Sequence, residues 1–171
     1  FYEGSLRNGV NLEISKRIFR KFNAHYMFPE SHAFAFGVTA YQSAWLKYHY
    51  PLEFFVGLFN EQPMGFYSLE TLKEDARRHG VTILHPDINR SMGKSVIEDE
   101  AIRLGFSHVK GIGESNAAII LRQRAVSGGY LSVENFMERT GLQLAGLENL
   151  VDAGAFDSIV EQHPLYRSRG F

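Results

Sequence analysis

Residues 109–120 read VKGIGESNAAII. Two glycines flank one isoleucine immediately before a stretch with helical spacing. A glycine inside a helix or strand costs about 0.5–1 kcal/mol relative to alanine. Two so close together predict a turn whose backbone does something that a side chain would block. FSHVK, up to the turn, predicts a short helical stretch. ESNAAIILRQRAV, after it, predicts a longer one with Ala117, Ile120, Leu121 and Ala125 facing inward. A glycine-rich turn that runs into a helix N-terminus presents main-chain N–H groups that no helical carbonyl uses. The helix dipole adds positive potential at the same place, which makes a ready anion site.

Several phosphate-binding patterns can be compared with this turn. A dinucleotide fingerprint needs a third glycine where Asn116 stands, and the lysine-containing P-loop is absent. What remains resembles the helix-hairpin-helix motif, apolar-x-Gly-apolar-Gly-x-x-x-Ala, on Val109, Gly111, Ile112, Gly113 and Ala117. That motif grips the sugar-phosphate backbone of DNA through main-chain amides, without reading sequence. The candidate contacts are Lys110, Gly111, Ile112, Gly113, Glu114 and Ser115, assisted by Arg122 and Arg124. A plain helical turn that binds nothing is the competing reading. Local charge favours binding: residues 101–130 carry Arg103, Lys110, Arg122 and Arg124 against the single acid Glu114. Residues 131–161 are acidic, and RTGLQLAGLENLVDAGAF within them resembles the degenerate half of a tandem helix-hairpin-helix pair. That second hairpin is expected to pack against the first and support it.

Composition sets the outer bounds. The chain has 171 residues, 44% apolar and 22% charged, with a formal net charge of -1, so a nucleic-acid surface has to be local. It holds no cysteine, which removes disulfides and cysteine-ligated zinc, and its seven histidines lack zinc-like spacing. No run approaches the length of a membrane span, so no membrane partner is expected. A start at Phe1, without methionine and among polar residues, points to a piece of a longer polypeptide.

The first half predicts helices. Residues 11–24 place Leu12, Ile14, Ile18, Phe19 and Phe22 on one side and Lys16, Arg17, Arg20 and Lys21 on the other. A helix from His32 to Tyr48 carries Phe34, Val38, Tyr41, Trp45 and Tyr48 at steps of four and three, which predicts one buried stripe. Pro51 suits the first turn of an almost wholly apolar helix. Ser68 suits the cap of the next, with Leu69, Leu72 and Ala76 inward and Gly80 as the stop. VTIL at 81–84 predicts a strand, and 94–104 a small hairpin turning at Glu98–Glu100. After Gly105 the elements shorten and glycines become frequent.

These stretches together carry a family resemblance. FPESHAFAFGVTAYQSAWLKYHYPLEFF (28–55), HGVTILHPDINRS (79–91), KGIGE and LVDAGAFDS (150–158) resemble segments of the bacterial C-family DNA polymerases, the DNA polymerase III alpha subunits. NEQPMGFYS (60–68) looks like the error-prone, damage-tolerant branch, and Pro29 and Glu30 stand where the replicative branch usually carries a lysine. The resemblance implies a mainly α fold in three parts. Residues 1–95 would be the C-terminal part of the fingers, 96–160 a tandem helix-hairpin-helix DNA-binding module, and 161–171 a tail. It implies duplex and template-primer DNA, an incoming dNTP, the remainder of the polymerase chain and a sliding clamp as partners. It also implies a cytoplasmic setting at the nucleoid. Ser31, His32, Lys16, Arg17, Arg20 and Lys21 would contact nucleotide or template.

Polymerase chemistry needs paired carboxylates holding Mg2+, which the family keeps as an Asp-x-Asp in its palm. No Asp-x-Asp occurs here. Glu98 and Glu100 read as solvated turn charge. The expectation is a chain with no catalytic residue, no metal site and no cofactor of its own, inactive alone. A non-catalytic helical scaffold and a repair-type helix-hairpin-helix protein are the alternatives.

Overall fold

The computed structural model describes residues 1–21 and 30–162, the side chains of 161 and 162 excepted. They are mainly helical with one small sheet, as expected. The elements are α1 (Tyr2–Arg7), α2 (Leu12–Lys21), α3 (Glu30–His49), α4 (Pro51–Asn60), α5 (Leu69–Arg78), β1 (Thr82–Leu84), β2 (Val96–Glu98) and β3 (Ala101–Arg103). A 3-10 turn (Phe106–His108) follows, then α6 (Glu114–Ser127), α7 (Val133–Thr140), α8 (Leu144–Asp152) and α9 (Asp157–Gln162). The chain divides into two compact units, Phe1–Ala44 and Trp45 onward. The expected division at 95/96 concerns the parts of a polymerase and is a different quantity.

In the first unit α1 and α2 form a hairpin. Ser15 is fully buried and its hydroxyl lies 2.9 Å from that of Ser5. The expected inward face of α2 is on the surface: Leu12, Ile14, Ile18 and Phe19 are exposed. A six-residue α1 is too short to cover it. Phe22 and Pro29, the tail from 163 and most of the predicted break after α2 lie outside the described residues. The stripe on the part of α3 in this unit is exposed too, with Phe34 at 74% and Tyr41 at 71%. Helical periodicity established that this face is apolar.

The second unit holds two cores. The first joins Phe55 and Phe59 of α4, Leu72 and Ala76 of α5, Val81, Ile102 and Leu104. Ser68 caps α5 as expected, accepting from the Thr71 amide. Gly80 follows with φ +77°. The sheet order is β1-β3-β2, with β1 parallel to β3 and β2 antiparallel to it. Asp99 and Glu100 make the hairpin turn, both with positive φ. Such a two-residue turn matches strand twist but strains non-glycine residues. Arg103 holds it shut: its guanidinium donates to both carboxylate oxygens of Glu98, at 2.8 and 3.0 Å, and to the carbonyl of His85 at 2.8 Å. Arg90 reaches the same carboxylate at 2.6 Å. Glu98 is therefore a structural ion-pair member, contrary to its expected solvation.

Hydrogen bonds from Arg103 hold the Glu98 carboxyl below its ordinary pKa of 4.5, with both arginine charges adding to the effect. A depressed folded-state pKa stabilises fully above the unfolded value and is lost as pH falls through the folded one. The melting-temperature gap between the native chain and Glu98→Gln should therefore be widest near neutral pH and close below about pH 4.5. A gap independent of pH in thermal melts would contradict the assignment.

The second core gathers Ile88, Phe106, Val109, Ile112, Ala117, Ile120, Tyr130, Phe136, Leu147, Leu150 and Phe156. Polar ties set its edges. Asn89 pairs with the Tyr130 backbone in both directions, at 2.6 and 2.9 Å. Arg139 lies 4.3 Å from the Tyr130 ring centroid and donates to the carbonyls of Gln123, Gly128 and Gly129 at the end of α6.

Candidate nucleic-acid interface

The quoted turn is a tight connection from the 3-10 turn into α6. The Ile112 amide donates to the Val109 carbonyl at 3.0 Å, which closes it. Gly111 has φ +75°, a region that L side chains avoid. Gly113 is the N-cap of α6 with φ -77° and ψ 177°, an ordinary conformation for any residue. No atom lies within 4 Å of where its Cβ would be. The two glycines therefore serve different ends. Gly111 permits the backbone to turn, and Gly113 leaves the space in front of the helix empty.

The N-terminus of α6 is uncapped by any side chain, whereas Ser68 and Ser132 cap α5 and α7. The amides of Glu114, Ser115 and Asn116 have no helical carbonyl to bond. Lys110, Gly111, Gly113, Glu114 and Ser115 are all exposed around this opening. Ile112 is not: it is 3% exposed and belongs to the core, so it anchors the turn from behind. Glu114 occupies the first turn, where it suits the dipole and opposes an incoming anion.

The four expected cations divide. Arg103 is buried against Glu98, and Arg124 donates to the Ile88 carbonyl at 3.1 Å. Burial lowers the Arg124 pKa. Lys110 and Arg122 remain exposed, with no ion pair among the described residues. Arg122 sits about 12 Å along α6 from the opening, from the rise of a helix. The locally basic character is therefore carried by two side chains, because tertiary partners absorb the other two. Ala125 is exposed, contrary to its expected inward position.

The second hairpin, between α7 and α8, packs on the first. A Cβ on Gly146 would stand 3.4 Å from the Ile112 Cδ1, and one on Gly111 3.3 Å from the Asn149 side-chain nitrogen. A polar groove of about 430 Å³ lies between the hairpins, lined by Gly111, Asn116, Thr140, Gly141, Gln143 and Asn149. Asn116 and Asn149 are contacts of the turn that spacing alone did not announce. Asn116 donates to the Gly111 carbonyl at 3.4 Å.

In the first unit, Lys16 pairs with Glu13 at 2.9 Å, while Arg17, Arg20 and Lys21 are exposed on α2. Ser31 is exposed in the first turn of α3, and His32 is half-buried with its ring 4.3 Å from that of Phe36. Among the described residues no group of three His, Asp or Glu side chains could hold a metal ion. Among the described residues no helix is long and apolar enough to cross a membrane.

Comparison with known proteins agrees with this geometry. A family model described as a helix-hairpin-helix motif matches residues 80–164. That span begins ahead of β1 and includes Ile88, which shares the core of the hairpins. The chain is 39% identical over 168 residues to an error-prone DNA polymerase of Teredinibacter turnerae, covering 93% of this chain and 16% of that protein. It is 41% identical over 167 residues to one of Nocardia farcinica, covering 95% and 15%. It is 43% identical over 154 residues to one of Corynebacterium glutamicum, covering 89% and 14%. The chain thus spans about one sixth of the length of the relatives it matches. Along nearly all of its length, this chain is homologous to one segment of error-prone DNA polymerases, and residues 80–164 of it carry the helix-hairpin-helix motif.

Proposed function

We propose that this chain is the part of a DNA-directed DNA polymerase that holds template-primer duplex without reading its sequence. The observation that carries the reading is the uncapped N-terminus of α6, with Gly113 open in front of it and Lys110 beside it. Free amides and the helix dipole meet a phosphate from one side, and Lys110 supplies a full charge from the other. Arg122 extends the contact to a further phosphate along the backbone. Ile112 and the second hairpin hold the turn rigid, so little ordering entropy opposes binding. Residues 1–95 contribute to the fingers over template and incoming dNTP, through Ser31, His32 and the cations of α2. Nucleotide transfer belongs to carboxylates and Mg2+ in the palm of the parent enzyme, a cytoplasmic protein at the nucleoid that also engages a sliding clamp.

Duplex binding across a salt series tests this. Affinity should be in the range of non-specific binding, about 10⁻⁴–10⁻⁶ M, and independent of sequence. With two neutralised phosphates, log K should fall against log salt with a slope near -1.8, and Lys110→Ala should reduce that slope by about 0.9. Absence of duplex binding at low salt would favour a scaffold whose hairpins are packing corners.

A further inference from the structure

Glu114 differs from other acids in the first turns of helices in this chain. Glu13 of α2 pairs with Lys16, three residues on, at 2.9 Å, and Glu70 of α5 pairs with Lys73 in the same way at 2.7 Å. Each of those charges is neutralised where it stands. In α6 the residues three and four beyond Glu114 are Ala117 and Ala118, which carry no charge. Glu114 is exposed and has no ion-pair partner among the described residues. Lys110, four residues before it across the turn, is equally exposed and equally unpaired, so two opposite charges stand at one opening without meeting. Glu114 is also the single acid between residues 101 and 130.

Helix stability alone does not account for an acid at this place. A serine cap would serve the same amides without a charge, as Ser68 and Ser132 do for α5 and α7. A site built only to hold a phosphate tightly gains nothing from a carboxylate beside it. Two like unit charges about 6 Å apart in water oppose each other by the equivalent of roughly threefold in affinity, and by more where protein displaces the water. The attraction of Lys110 is offset at the same range. What then holds a phosphate is the neutral amides and the helix dipole, whose reach ends within the first turn.

We propose that Glu114 is a release residue, which keeps each phosphate contact in front of Gly113 weak enough to break and re-form as duplex advances past the turn. This rests on the duplex-holding reading and adds to it what limits the grip. The sequence pattern placed Glu114 among the contacts that hold DNA. Its unneutralised charge gives it the opposite part: amides and Lys110 draw a phosphate in, and the carboxylate lets it go. A duplex that moves by one phosphate for every nucleotide added needs both.

Anisotropy titrations of a fluorescein-labelled duplex against the full chain test this, together with stopped-flow dissociation into unlabelled duplex. Glu114→Gln should bind about three- to tenfold tighter at low salt and dissociate more slowly. The gain should vanish toward 1 M salt, where the screening length falls to about 3 Å. Its melting temperature should be equal or slightly lower, because a dipole partner is lost, so stability and affinity move apart. Glu134→Gln, in the exposed first turn of α7 past the far end of α6, removes the same charge and should leave affinity unchanged. An equal gain in Glu134→Gln would reduce the effect to net charge and overturn the proposal. Weaker binding by Glu114→Gln would make the carboxylate a holding contact and overturn it too. Unchanged affinity of Glu114→Gln, with Lys110→Ala weakened, would overturn it while the duplex-holding reading stands. A native chain that binds no duplex would remove both.

Discussion

Gly113→Asp should weaken duplex DNA binding about 30-fold, roughly 2 kcal/mol, while leaving the melting temperature equal or slightly higher. Aspartate at an N-cap accepts from the second or third amide of its helix. At position 113 the backbone already has the extended conformation that an N-cap side chain needs, and nothing crowds the new Cβ. The substitution would gain the cap that α6 lacks, worth a few tenths of a kcal/mol over glycine. The same carboxylate would occupy the amides intended for a phosphate and repel the phosphate itself. Stability and binding would then move in opposite directions. A packing corner predicts the stability gain with no binding to lose. Gly111→Asp is the contrasting variant: φ +75° strains any side chain there, so folding and binding should fall together. Parallel melts and low-salt anisotropy of the two variants decide the matter, and unchanged affinity of Gly113→Asp would remove the site.

Gly105→Ala should destabilise the chain by about 3 kcal/mol, lowering the melting temperature by roughly 6–12 °C. Here too the backbone is ordinary, with φ -81° and ψ 164°. The reason for glycine is proximity. A Cβ would overlap the Lys94 carbonyl carbon and stand 2.6 Å from the carbonyl oxygens of Gly93 and Lys94. Those atoms are backbone and are pinned. The Phe106 and Ser107 amides donate to the Met92 and Gly93 carbonyls at 3.0 and 2.9 Å. The Gly105 amide donates to the Ser95 hydroxyl, and Asn60 brackets the Ser95 backbone at 2.7 and 2.9 Å. Relief of the overlap would break several of these bonds at once. A shift of under 2 °C would show that the 93–95 loop yields freely.

What the sequence made legible was local. Helix starts at Pro51 and Ser68, a hairpin turning at Glu98–Glu100, which the structure narrows to Asp99–Glu100, and the Gly-Ile-Gly turn all depend on neighbours within a few residues. The uncapped opening of the candidate site could be read the same way. The fate of charged side chains could not. Arg103 and Arg124 find partners 5 and 36 residues away, so counting charges along the chain overstated the free positive surface. Arg139 closes the carbonyl end of α6 from the next helix, and no spacing rule connects it to Gly128. The apolar face of α3 failed in the other direction. Its period was read correctly, but period carries no information about what covers it.

The parallel pairing of β1 with β3 has a mechanical meaning. Ile83 lies opposite Ile102, and the Leu104 amide donates to the Leu84 carbonyl at 3.1 Å. Ile102 and Leu104 end in the core of α4 and α5, while Phe106, two residues on, begins the core of the hairpins. Residues 95 and 96 thus fall inside a hydrogen-bonded joint. A pull on duplex gripped at Gly113 would reach α4 and α5 as shear across the sheet, with no slack to take up first. On this strand a swivel between the two cores has to turn at Gly105, and the bond of its amide to the Ser95 hydroxyl and its close approach to Lys94 oppose that turn.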